Sequence, residues 1–114
     1  MRIIDQQARE FADAEIRLVA DRNQLREADP AAEAARLREQ LAVDPSQVVN
    51  RSRLPLNLAK SGDTKGGLAE LARVLSPDVK EVNTLYRGAV TYELAGDRAA
   101  ALTTLERALD RGYS

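Results

Sequence analysis

The chain has 114 residues, a length that suits one domain with a modest core. Its 17 basic and 18 acidic residues leave a net charge of −1, so no global field draws in nucleic acid or an anionic membrane. It has no cysteine and no histidine, which removes disulfides, thiol nucleophiles, the commonest general base and the commonest metal ligand.

Hydrophobic residues make up 44% of the chain and are mostly Ala, Leu and Val, which enter helices at little cost. Residues 5–27 hold neither Pro nor Gly. Ile4, Ala8, Phe11, Ala12, Leu18, Val19 and Leu25 recur there mostly at intervals of three and four, which predicts a long, irregular amphipathic helix. Its Arg9, Arg17, Arg22 and Arg26 interleave with Asp and Glu, the pattern of a solvated or partner-facing surface. The opening Met1-Arg2-Ile3-Ile4-Asp5 leads into charge, so neither a signal peptide nor a membrane span is expected, and the expected location is cytoplasmic.

Asp29-Pro30 marks the start of a second helix, with Asp as N-cap and Pro at the first helical position. Ala34, Leu37 and Leu41 form its apolar face, and it ends near Val43, before Asp44-Pro45. Ser46 is the expected cap of a third helix reaching toward Ser61, with Val48, Val49, Leu54 and Leu58 inward. Pro55 predicts either a kink in this helix or its true start. Gly62 stops it, and Asp63 caps a fourth helix carrying Leu68, Leu71, Val74 and Leu75, which Ser76-Pro77-Asp78 ends. A fifth helix is expected from about 79 to 95, with Val82, Leu85, Ala89 and Tyr92 inward. Gly96-Asp97 repeats the stop and cap, and a sixth helix carries Ala101, Leu102, Leu105, Ala108 and Leu109 before Arg111-Gly112. No alternating run is long enough for a strand.

The two Gly-Asp pairs lie 34 residues apart. The same shift aligns Arg53 with Arg87, Leu58 with Tyr92, Gly67 with Ala101, Leu68 with Leu102, Leu71 with Leu105, and Leu75 with Leu109. A further shift of 34 places Leu37 and Leu41 under Leu71 and Leu75, while the helix ahead of them fits that register poorly.

Two helices joined by Gly-Asp at this period resemble the tetratricopeptide repeat. The last unit carries the resemblance best, through Leu85, Gly88-Ala89, Tyr92, Gly96, Ala101, Leu105 and Ala108. The middle unit matches at Leu54, Leu58, Gly62, Gly67, Leu71, Val74 and Leu75; the first matches only in its second helix and its Asp44-Pro45 exit. The resemblance implies one all-α domain, a right-handed superhelical stack of antiparallel helical hairpins with about six helices. Its units are an irregular hairpin over 1–45, a second repeat over 46–79 and a third over 80–114. Pro55 and Gly66-Gly67 depart from the pattern, so the middle hairpin is expected to be the least rigid. The family's extra helix after the last repeat is missing before Ser114, so the last helix is expected to be incompletely covered, which favours self-association or a larger parent protein.

The resemblance also implies a ligand surface, the concave face lined by the first helix of each hairpin. Here that face comprises Ser52, Arg53, Leu56, Asn57, Lys60, Asn83, Tyr86, Arg87, Val90 and Glu93. Arg53 and Arg87 share one column, and with Asn57 or Asn83 they suit the C-terminal carboxylate of a peptide. The competing reading makes them solvated residues or partners of nearby Asp and Glu. The expected partner is therefore a polypeptide, with a homodimer as the rival through the long first helix and the uncovered last one. The closing Arg111-Gly112-Tyr113-Ser114 is similar to the ends of repeat segments in larger bacterial signalling proteins.

Catalysis is not expected. Residues 61–67 look superficially like a phosphate-binding loop, but the Lys is misplaced and no strand precedes it. The acidic pairs Asp13 with Glu15 and Asp78 with Glu81 have no pocket or partner residue nearby. No calcium-loop spacing occurs, so neither a metal nor a cofactor is implied.

Overall fold

The computed structural model describes Glu10, Ala14, residues 16–18 and residues 29–111. Among these residues there is no strand, and the helices described end to end are α1 (Pro30–Val43), α2 (Val48–Lys60), α3 (Thr64–Val74), α4 (Val82–Leu94) and α5 (Arg98–Asp110). The all-helical expectation holds. Glu10, Ala14 and residues 16–18 are helical as well; the rest of the helix expected over 5–27, with Asp13 and Glu15, and residues 112–114 lie outside the described residues.

The helix starts explain the chain's punctuation. Three aspartates spaced by 34 residues each accept a bond from the backbone N–H three positions on: Asp29 from Ala32 (3.1 Å), Asp63 from Gly66 (2.9 Å) and Asp97 from Ala100 (3.1 Å). Asp29 thus shares the register that the apolar columns showed only from Leu37 onward. The helix ends repeat too. Gly62 and Gly96 take φ of +97° and +87°, a backbone that costs other residues about 1–2 kcal/mol. That turn lets the N–H of Asp63 reach the Leu58 carbonyl and that of Asp97 reach the Tyr92 carbonyl, both at 2.9 Å. Residues 61–67 are therefore a helix end, a turn and a helix start.

Leu37, Leu71 and Leu105 occupy one column and are 0%, 2% and 1% exposed. Burying a leucine stabilises by about 1.5–3 kcal/mol, which orients each second helix of a pair toward the core. α1 packs on α2, α2 on α3 and α4 on α5, while α2 also lies along α4, making α2 the central helix. Ala34, Leu37, Leu54 and Leu58 form one buried cluster; Ile16, Leu56, Ala89, Val90, Ala101 and Leu105 form another.

Several local expectations are corrected. Pro55 does not start a helix; α2 runs unbroken from Val48 to Lys60 with Pro55 buried inside it. Ser46 does not cap α2: its hydroxyl (2.6 Å) and its N–H (3.1 Å) bond to Asp44 Oδ1, and Gln47 takes the cap position without a side-chain bond. Val48 and Val49 are each 58% exposed rather than inward. α3 ends at Val74, leaving Leu75 as its C-cap. α4 begins at Val82, later than expected, because the Glu81 carboxylate caps it through Asn83 N–H (2.8 Å) and Thr84 N–H (2.9 Å).

Gly67 is a close-packing residue. A Cβ there would stand 2.9 Å from the Pro55 carbonyl oxygen and 3.2 Å from Ala59 N. Only glycine lets α3 approach α2 this closely at Gly67.

Candidate functional site

The residues of interest lie on α2 and α4, which run side by side. Their columns are related by the same 34-residue shift, so equivalent side chains do equivalent things. Asn57 Nδ2 donates to the Arg53 carbonyl (3.1 Å), and Thr91 Oγ1 donates to the Arg87 carbonyl (2.7 Å). Both are buried polar groups turned back onto their own helix, one turn away.

Arg53 and Arg87 both stay partly exposed. Arg87 Nη1 crosses from α4 to α2 and donates to Ser52 Oγ (3.0 Å), whose own hydroxyl donates to the Val49 carbonyl (2.8 Å). Arg53 Nη2 lies 3.4 Å from Glu33 Oε1 of α1, a carboxylate that also holds Arg36. Burial pushes the Arg87 guanidinium pKa down; Glu81 opposes this, and the neighbouring Arg53 charge adds to it. Each guanidinium thus has a carboxylate in reach, Glu33 at Arg53 and Glu81 near Arg87, and the attraction of Glu81 exceeds the repulsion of Arg53.

The remaining candidates divide by burial. Tyr86, Lys60 and Glu93 are partly exposed, and Asn83 is exposed at the start of α4. Glu93 is engaged with Arg98 of α5, through a 2.6 Å bond from Arg98 Nε and an ion pair to Nη2. Leu56, Asn57 and Val90 are 7%, 3% and 0% exposed, so none of them presents a free surface. Leu56 and Val90 share their buried cluster with Ile16. Of Asn57 only the Nδ2 is bonded; its Oδ1 has no hydrogen-bond partner among the described residues.

A second concavity went unread in the sequence. It is a cavity of about 460 Å³ at the junction of α1, α2 and α3, floored by Leu41, Leu54 and Val74 and edged by Arg38, Arg51 and Arg73. A smaller one of about 210 Å³ shares Arg51 and Val74 with it and extends to Val48, Val79 and Lys80. No sequence signal pointed to it: Val48 and Val49 were expected inward, and their exposure (58% each), with that of Val43 (87%), emerges only from the packing. Among the described residues, no cluster of acidic residues could hold a metal ion, and no helix is long and apolar enough to cross a membrane.

Compared with known protein families, with curated proteins and with solved structures, the chain finds no match in any of the three.

Proposed function

We propose that this chain is a non-catalytic binding module, a tetratricopeptide-like stack whose α2/α4 face holds a segment of another polypeptide through a carboxylate. The observation that carries the reading is the pairing of Arg53 with Arg87. They stand one repeat apart on the neighbouring helices α2 and α4, and both remain partly exposed. A carboxylate that reaches both guanidiniums gains charge-assisted bonds, in competition with Glu33 at Arg53 and Glu81 near Arg87. The recurring caps and Gly turns support the stacked arrangement, because identical turn geometry at a fixed spacing sets successive hairpins at a constant offset.

The test is an array of peptides with free C-terminal carboxylates, probed with the purified full chain. Bound peptides should lose about ten-fold or more in affinity on C-terminal amidation and in the Arg53→Ala/Arg87→Ala double variant. Binding that ignores both changes removes the reading.

A second reading, self-association, is favoured by one observation: Val43, Val48 and Val49 are exposed, and Val48 lines the smaller cavity. Light scattering at high concentration decides it, since a strict monomer contradicts it.

A further inference from the structure

The cavity at the junction of α1, α2 and α3 has a lining that the fold does not require. Its volume, about 460 Å³, is in the range that holds a small ligand. Each of the three helices sends it an arginine together with an aliphatic residue no more than a turn away: Arg38 with Leu41, Arg51 with Leu54, and Arg73 with Val74. Leu54 is 4% exposed, while the three arginines are exposed. Among the described residues none of these arginines makes an ion pair. Glu70 lines the same cavity and is likewise unpaired among them, so the lining carries three positive charges against one negative.

The repeat supplies a comparison within the same chain. At a shift of 34 residues, Leu75 stands for Leu41, Thr104 for Glu70 and Arg107 for Arg73, and all three line another cavity, of about 540 Å³. There Ala72 and Leu85 take the positions of Arg38 and Arg51, and Arg107 is engaged with the carbonyls of Ser76, Pro77 and Val79. Stacked hairpins thus leave a concavity at both junctions, with or without a basic edge. The guanidiniums at the first junction also do little for packing. Among the described residues the side chains of Arg38 and Arg73 have no hydrogen-bond partner, and Arg51 makes one long bond, 3.4 Å from Nη2 to the Arg73 carbonyl.

We propose that this cavity binds a small amphipathic acid: an unbranched aliphatic carboxylate whose head is held by the edge of Arg38, Arg51 and Arg73 and whose chain lies on Leu41, Leu54 and Val74. The lining decides the class of ligand. It offers charged donors to a carboxylate and aliphatic contact to a chain, and it has no neutral hydroxyl or amide side chain. A peptide laid there would bring backbone N–H groups that only the Glu70 side chain could accept, whereas an alkyl chain brings no polar group to satisfy. The chain has space to extend, because the adjoining cavity of about 210 Å³ shares Arg51 and Val74 and adds Val48 and Val79 alongside Lys80, Glu81 and Thr84. The 460 Å³ cavity uses none of the residues assigned to the polypeptide ligand on the α2/α4 face, so this site stands independently of that reading.

The probe is octanoate, titrated onto the full chain by isothermal calorimetry, with octanol as the uncharged comparison and hexanoate and butanoate as shorter acids. Octanoate should bind at a single site, octanol at least about ten-fold more weakly, and each methylene removed should weaken binding by about two-fold or more. Arg38→Gln/Arg73→Gln replaces two exposed side chains that are unpaired among the described residues, so helical circular dichroism should be kept while octanoate affinity falls about ten-fold or more. No octanoate binding, equal binding of octanoate and octanol, indifference to chain length, or a double variant that binds as well as the unaltered chain overturns the proposal. Binding lost in Arg53→Gln/Arg87→Gln but kept in Arg38→Gln/Arg73→Gln also overturns it, by moving the acid to the α2/α4 face. If the Arg38→Gln/Arg73→Gln variant unfolds, amide chemical-shift mapping on the unaltered chain decides. Octanoate should shift Leu41, Leu54 and Val74 most, and shifts centred elsewhere overturn the proposal. An acidic peptide that shifts those amides where octanoate does not makes the cavity a polypeptide site and overturns it too.

Discussion

Arg87 on α4 donates from Nη1 to Ser52 Oγ on α2 at 3.0 Å, linking two helices whose sequence positions are 35 residues apart. The serine is 2% exposed, so the bond is made at the buried edge of the guanidinium while the rest of the group stays reachable. The residue read as a ligand clamp is thus also a tie between the two helices that form the face.

That tie is measurable. In a double-mutant cycle, Ser52→Ala and Arg87→Ala should couple by about 1 kcal/mol, the scale of a hydrogen bond to a charged group after discounting for exposure. Chemical denaturation of the four proteins gives the value; additive effects dissociate the two residues.

The close approach of α3 to α2 makes Gly67→Ala an informative change. Alanine normally stabilises a helix by about 0.5–1 kcal/mol over glycine. Here its Cβ would meet the Pro55 carbonyl oxygen at 2.9 Å, with backbone on both sides of the contact. We expect net destabilisation of about 1–3 kcal/mol by denaturant titration. A stabilised variant would mean that the two helices slide apart freely.

The link between the hairpins depends on Arg107. Its Nη2 donates to the carbonyls of Ser76 (3.0 Å), Val79 (3.1 Å) and Pro77 (3.4 Å), so one guanidinium on α5 pins the loop between α3 and α4. Arg107→Ala should cost about 1 kcal/mol and speed hydrogen exchange in that loop, leaving α1 and α2 unchanged.

Glu81 gives a pH dependence with a definite sign. Burial raises its carboxyl, but the bonds from Asn83 N–H, the Thr84 hydroxyl and Thr84 N–H outweigh this, and Arg87 helps hold it below the ordinary glutamate value. A folded pKa below the unfolded one, about 4.3 for glutamate, gives stability that is present above that pH. It is lost as pH falls through the folded value. Glu81→Gln should therefore be less stable than the unaltered chain at about pH 6, and the gap should close toward about pH 3. Melting temperatures across that range check it; a gap independent of pH contradicts it.

What the residues announced, and what they hid, follows from range. Gly62-Asp63 and Gly96-Asp97 were legible because a positive φ and an N-cap are local demands that few residues meet. The Leu71 and Leu105 columns were legible because helical spacing marks a face. Asp29 belonged to the same series, but an apolar alignment that began at Leu37 passed over it. Glu81 went unread as a cap because glutamate seldom serves as one, so the start of α4 was placed too early. The resemblance implied a shared face of α2 and α4 that includes Leu56 and Val90, yet it says nothing of what lies over a face. Ile16, which belongs to the same buried cluster, is distant in sequence and falls in a stretch that does not obey the repeat. For the same reason the arginine-edged cavity was invisible: Arg38, Arg51 and Arg73 come from three helices, and only packing brings them together.

The central claim is that a polypeptide ligand binds on the α2/α4 face. The most direct measurement is backbone amide chemical-shift mapping on the isotope-labelled full chain, with the tightest array peptide as titrant. The account predicts the largest shifts at Arg53, Asn57, Tyr86 and Arg87. Shifts confined to Arg38, Arg51, Arg73 and Val74, with the α2/α4 face silent, would place the ligand in the other cavity and contradict it.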